Sequence, residues 1–184
     1  MFEAIVFTVQ DCGFIARCAR EVSDSSQVRI DKIFRIVSEC KYGIHDISRT
    51  ELDNTHGLPR FNMPLELGIF LGAKRFGNRH QQNKVCLVLD REEYRYQRFC
   101  SDIAGQDISA HGGDSDKAIL LVRDWLNDSV VNEMIPSGSR IADRYRLFED
   151  DLPLYSETFK KVQKELTFID FRNLVIAWLE DNGW

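Results

Sequence analysis

The heptapeptide KVCLVLD, residues 84–90, constrains this chain more than any other segment. Its apolar run from Val85 to Leu89 is too short for an ordinary buried helix and lacks the alternation of a half-wet strand. Bounded by Lys84 and Asp90, it reads as a strand covered on both faces. Such strands belong to parallel sheets whose crossovers are helices.

The neighbouring segments supply those crossovers. EAIVFTV (3–9) reads as a first buried strand, and a helix is expected from Phe14 to Val22. QVRIDKIFRIVSEC (27–40) has helical apolar spacing, with Asp31 and Arg35 paired on its polar side. YGIHDIS (42–48) is the next strand, and RTELDNTHGLPR (49–60) is a polar loop. RFNMPLELGIFLGAKRFG (60–77) is an apolar helix whose start is set by Pro64. REEYRYQRFCSDIA (91–104) reads as a helix and GQDISAHGG (105–113) as a short last strand. DSDKAILLVRDWLND (114–128) is an amphipathic helix with Asp114 or Ser115 as N-cap. From Val130 onward only helical patterns remain, divided at Pro153.

The order predicts an α/β protein, an open parallel sheet flanked by helices (flavodoxin-like), over residues 1–128. EAIVFTV, YGIHDIS and KVCLVLD are its expected adjacent strands. Residues 129–184 form a C-terminal all-helical extension that packs Phe148, Phe159, Phe168, Phe171, Leu174 and Trp178 against the domain or a second copy.

With 43% hydrophobic and 29% charged residues, the chain has a core and is not of the disordered class. A net charge of −5 without any Lys/Arg stripe argues against a nucleic-acid partner, while leaving room for small anions. Cys12, Cys18, Cys40, Cys86 and Cys100 form no CxxC pair, so reduced thiols and a cytoplasmic location are expected. MFEAIVFTVQD has the wrong flanks for a signal peptide, and no apolar run approaches the roughly 18 residues of a membrane span. His45, His56, His80 and His111 fit no metal-ligand spacing, so neither a metal nor a cofactor is expected.

In an open parallel sheet, ligands bind beyond the carboxyl ends of the strands. Asp11 follows the first strand, Asp46 and Ser48 the second, and Asp90 and Arg91 the third. Arg60 and Asn62 precede the apolar helix. No P-loop and no GxGxxG is present. Glu66 is the odd residue, a carboxylate expected in the first turn of an otherwise apolar helix. In a crevice shared with Asp46 and lined by Tyr42, Phe61 and Met63, it is a candidate nucleophile or stabiliser of an oxocarbenium-like centre. Plainer readings stand beside this one. A first-turn carboxylate is favoured by the helix dipole by about 0.3–1 kcal/mol. Asp46 equally fits an Asx turn, Arg60 a solvated cation, and Asp11 a helix cap. His45 alternates away from Asp46 and reads as structural. Gly68 and Gly72 read first as a close-packing feature and second as a homodimer or higher-oligomer face.

HDIS, a polar loop and then MPLELGIFLGA resemble the nucleoside 2-deoxyribosyltransferase-like superfamily and the related TIR-type NAD-cleaving domains. The resemblance spans about residues 3–125. It implies that Glu66 matches the catalytic glutamate and Asp46 the strand-end aspartate that holds ribose or base. It also implies a hydrolase (N-glycosidase, NAD nucleosidase) or a deoxyribosyltransferase acting on a nucleotide, nucleoside or NAD. Asp11, Ser48, Arg60, Asn62 and Tyr42 would then line the substrate. A non-catalytic nucleotide-binding sensor or adaptor using the same pocket is the alternative, and bacterial relatives of this kind serve in phage defence. The chain departs from the family where EVSDSSQV offers at best a stub of a strand and where QDCGF replaces a Gly- or Pro-rich first loop.

Overall fold

The computed structural model describes residues 1–21, 24–52, 57–130 and 134–183. His56 and the end of the expected helix at Val22 lie outside them. The elements are α1 (Phe2–Asp11), α2 (Arg29–Glu39), β1 (Tyr42–Asp46), α3 (Asn62–Phe76), α4 (Arg79–Gln82), β2 (Val85–Asp90), β3 (Ile108–Ala110), α5 (Ser115–Ser129), α6 (Gly138–Thr158) and α7 (Phe168–Asp181). Short 3-10 turns occupy Arg95–Arg98, Ser101–Ile103 and Gln163–Glu165. The chain forms two compact units: Ser25–Gly113, which holds the sheet, and a helical unit of Met1–Asp24 with Asp114–Trp184.

The sheet is open and parallel, in the order β1-β2-β3. Tyr42 pairs with Val85 and Asp46 with Leu89, and Val88 pairs with Ile108. YGIHDIS and KVCLVLD are therefore adjacent as expected, and the short strand expected in GQDISAHGG is β3. The order never reverses among the described strands, so there is no switch point. The ligand rim is the plain carboxyl edge.

Strand alternation assigns the faces. Gly43, His45, Ile47, Cys86, Val88 and Asp90 share one, while Ile44, Asp46, Leu87 and Leu89 share the other. Helix α3 covers the first. Its Leu67 packs with Ile47, Val88 and Tyr96 in a buried cluster. Its Phe70 lies so close to Gly43 that a β-carbon there would come within 2.7 Å of the ring. Lys84 fastens α2 to this layer: it is 1% exposed, and its ammonium donates to the carbonyls of Val37 and Cys40. It also lies 4.9 Å from the Phe70 ring centre.

In the helical unit EAIVFTV is not a strand but the body of α1. A short apolar run carries no decisive period, and here α5, α6 and α7 all pack on it. Ala4, Val6, Phe7 and Thr8 are buried, and the Thr8 hydroxyl donates to the Ala4 carbonyl at 2.8 Å. The Phe7 ring centre lies 5.3 Å from Phe148, 5.4 Å from Tyr145 and 5.8 Å from Trp178. The expected helix after Phe14 is absent. Gly13 has φ +82°, and the Gln10 side chain takes the Ala16 amide at 2.9 Å instead.

Residues 1–24 and α5 thus belong with the C-terminal helices, so the compact units do not divide at 128/129. Helix α6 also runs through Pro153. Both Pro153 and Glu149, whose carbonyl loses its donor, are exposed, so water can replace the bond. Phe148, Phe168, Phe171, Leu174 and Trp178 are buried, but Phe159 is 49% exposed.

Candidate functional site

The carboxyl edge of the sheet carries a connected set of polar side chains, Asp46, Asp90, Arg95 and His111. Asp46 ends β1. One of its oxygens accepts the Ser48 amide at 3.0 Å, an Asx turn that starts the exit loop. The same oxygen lies 3.4 Å from His111 Nε2. The other His111 nitrogen, Nδ1, accepts the Gly113 amide at 2.9 Å. Nδ1 is therefore unprotonated, and the Nε2 proton points at Asp46. His111 is only 2% exposed, whereas the Asp46 side chain keeps 21% of its surface. Gly112 and Gly113, at φ +68° and +81°, make the turn that aims this ring.

Asp90 ends the central strand and is fully buried. Its Oδ1 accepts the Arg91 amide at 2.7 Å and Arg95 Nε at 2.8 Å. Arg95 also donates to the Ile47 carbonyl at 3.0 Å, the Ser48 carbonyl at 2.8 Å and the Thr50 hydroxyl at 3.1 Å. One guanidinium thus ties the end of β2 to the chain leaving β1. The helix expected over 91–104 is replaced by two 3-10 turns, entered through Tyr94 at φ +60°.

Helix α3 starts at Asn62, so Pro64 is its third residue and Glu66 lies in its second turn. The dipole falls off within the first turn, so it is not what holds Glu66 here. The carboxylate is half-buried. Burial raises its pKa, and the Arg29 guanidinium at the start of α2 opposes that rise. Among the described residues no hydrogen bond or contact ion pair reaches it.

The expected residues do not all converge. Glu66 is on the helix that covers the His45 face of the sheet, and Asp46 alternates to the opposite face. Tyr42 opens β1 at its amino end, the wrong end for a ligand at the carboxyl edge. Met63 packs against the buried cluster, while Arg60, Phe61 and Asn62 are exposed. The crevice expected from Tyr42, Phe61 and Met63 is therefore not assembled. Asp11 belongs to the helical unit, where it is 1% exposed and paired with Arg144 at 3.1 Å. Burial raises its pKa against the pull of Arg144. It is a structural ion pair and not a loop ligand, because the segment before it is a helix.

His111 and Arg95 are the residues that sequence reasoning passed over. His111 had a signal, the adjacent glycine pair after a strand. Arg95 had none, since apart from Asp90 its partners Ile47, Ser48 and Thr50 lie 40 or more residues away. Among the described residues no cluster of His, Cys, Asp or Glu suits a metal ion. None of the five cysteines forms a disulfide, and burial raises the Cys12 thiol to about 12. No described helix is long and apolar enough to cross a membrane. A shallow cavity of about 250 Å³ in the helical unit, lined by Gln10, Phe14, Ile15, Ile176 and Leu179, contains none of the expected residues. No protein-family model, curated protein or solved structure matches the chain.

Proposed function

We propose that the α/β unit takes a nucleoside, nucleotide or NAD across the carboxyl edge of its sheet, and that Glu66 acts on the N-glycosidic bond. The observation that carries this reading is Glu66 itself, a half-buried carboxylate on an apolar helix without a hydrogen bond among the described residues. Buried ionisable groups that the fold does not consume are characteristic of working sites. Arg29 favours the ionised form that burial penalises. As the C–N bond breaks, its electron pair leaves with the base and positive charge develops on the sugar. The Glu66 carboxylate stabilises that charge or bonds to the carbon, until water or a second base takes its place. Asp46 works from the other face of the sheet. A ligand lying across the strand ends, rather than in a cleft on one face, meets both groups.

The test is incubation of the full chain with NAD and a panel of nucleosides and nucleotides, followed by chromatography for free base. Glu66→Gln keeps the shape and removes the charge. Base release is expected to fall by orders of magnitude while the melting temperature stays nearly unchanged. Release at the original rate by this variant would overturn the mechanism.

A second reading, a nucleotide-binding sensor or adaptor without turnover, is favoured by one observation. Asp46 is already engaged by Ser48 and His111 on the face away from Glu66. It predicts saturable binding by the wild type with no base released, and the same affinity in Glu66→Gln.

A further inference from the structure

We infer that Asp90 is a ligand-binding residue of this same edge, and that its second oxygen, Oδ2, accepts a hydrogen bond from a ribose hydroxyl. The inference rests on the reading that the edge takes nucleosides. Asp90 is 0% exposed, yet Oδ2 has no hydrogen-bond partner among the described residues. Buried carboxylate oxygens are nearly always paired, because leaving one unpaired costs its full desolvation.

The described residues around Asp90 offer Oδ2 no donor. Arg95 has already committed its nitrogens to Oδ1, the Ile47 and Ser48 carbonyls and the Thr50 hydroxyl. The strand positions beside Asp90 are Ala110, by register, and Ile47, whose amide bonds the Leu89 carbonyl. Neither side chain has a donor. A carboxylate accepts only, so its partner must donate; a phosphate is excluded, and a hydroxyl fits. A carboxylate ending a strand at the carboxyl edge of a parallel sheet is the usual partner of a ribose hydroxyl in nucleotide-binding α/β folds. Asp90 shares the α3 face with Glu66, which Asp46 does not, so a sugar held at Oδ2 is on the side where the bond would be cleaved. Asp90 has no exposed surface, so a ligand reaches Oδ2 only when side chains around it move aside.

The experiment is calorimetric titration of the full chain, wild type and Asp90→Asn, with adenosine, 2′-deoxyadenosine, 3′-deoxyadenosine and inosine. The wild type should bind adenosine at least about tenfold more tightly than one of the two deoxy analogues, the loss expected when a charged acceptor goes unpaired. Asp90→Asn keeps Oδ1 for Arg95 and should lose that preference while still binding the deoxy analogue. Should Asp90→Asn not fold, Asp90→Glu replaces it; it retains a carboxylate for Arg95 but moves the second oxygen, and the preference should again disappear. Equal wild-type affinity for adenosine and both deoxy analogues overturns the inference, as does a preference that survives in the variant. Discrimination against inosine alone would assign the donor to the base and also overturn it. If the wild type binds none of the four, the nucleoside reading itself fails and this inference goes with it.

Discussion

His45 and Asp46 are neighbours in the chain with opposite surroundings. Asp46 has two partners and some open surface, whereas neither nitrogen of His45 has a partner among the described residues. The His45 ring is 6% exposed and sits edge-on to Phe70 at 5.2 Å. Burial holds its pKa down at about 4. An unfolded histidine titrates near ~6.5, so between these values the unfolded chain takes up a proton that the native state refuses. Stability is therefore full above ~6.5 and falls as pH drops toward about 4, by on the order of 3 kcal/mol. Urea denaturation at pH 7 and pH 5 should show that slope, and His45→Phe should flatten it. The same slope in the variant would mean that another group carries it. At this scale the sequence marked His45, Asp46 and Glu66 as worth attention and assigned His45 and Asp46 to opposite faces. What it could not see was that α3 covers the His45 face, which separates Glu66 from Asp46. A helix's choice of sheet face depends on packing between residues such as Phe70 and Gly43, not on any local pattern.

At the scale of the element, α2 ends on a side chain from elsewhere. Its last carbonyls have no donors within the helix, and Lys84, at the threshold of β2, supplies them. Lys84→Met fills the same space without the donors, leaving the Val37 and Cys40 carbonyls to lose a charged partner. A loss of roughly 1–3 kcal/mol is expected, read as a lower urea midpoint with an unchanged slope. A variant as stable as the wild type would show that water replaces the ammonium. Lys84 was legible only as the polar boundary of a strand, because its partners precede it by more than 40 residues. Strand β2 was legible because it is a short apolar run between polar stops. EAIVFTV has the same local signature and is a helix, because three other helices close around it. Pattern identifies a buried segment, and tertiary packing decides which buried segment it becomes.

For the whole molecule, the unit boundaries matter most. The α/β unit is one continuous stretch, Ser25–Gly113, inserted into a helical unit assembled from both ends of the chain. The helical core depends on that reunion, since Phe7 comes from the first end and Phe148 and Trp178 from the second. Phe7→Ala should cost about 3–5 kcal/mol in thermal or urea unfolding, the range for removing a fully buried ring. A loss below 1 kcal/mol would mean that the cluster closes over the gap. The C-terminal helices were legible in their apolar spacing, but their partner α1 was hidden by its resemblance to a strand. The misplaced boundary at 128/129 follows from that single error.

The inserted arrangement bears on how the chain is made. Helix α1 leaves the ribosome ahead of its partners, the earliest of which, α5, is complete only after Ser129. At ordinary elongation rates that wait is roughly 6 to 24 s. Meanwhile the segment it waits past can close its own sheet, whose strands all lie within residues 42–110. A β-branched, apolar stretch left unpartnered for that time is a site for chaperone capture or for strand-like association between nascent chains. Glu3 and the acidic pair Glu149 and Asp150, none of them buried, are charges carried by the segments that must meet.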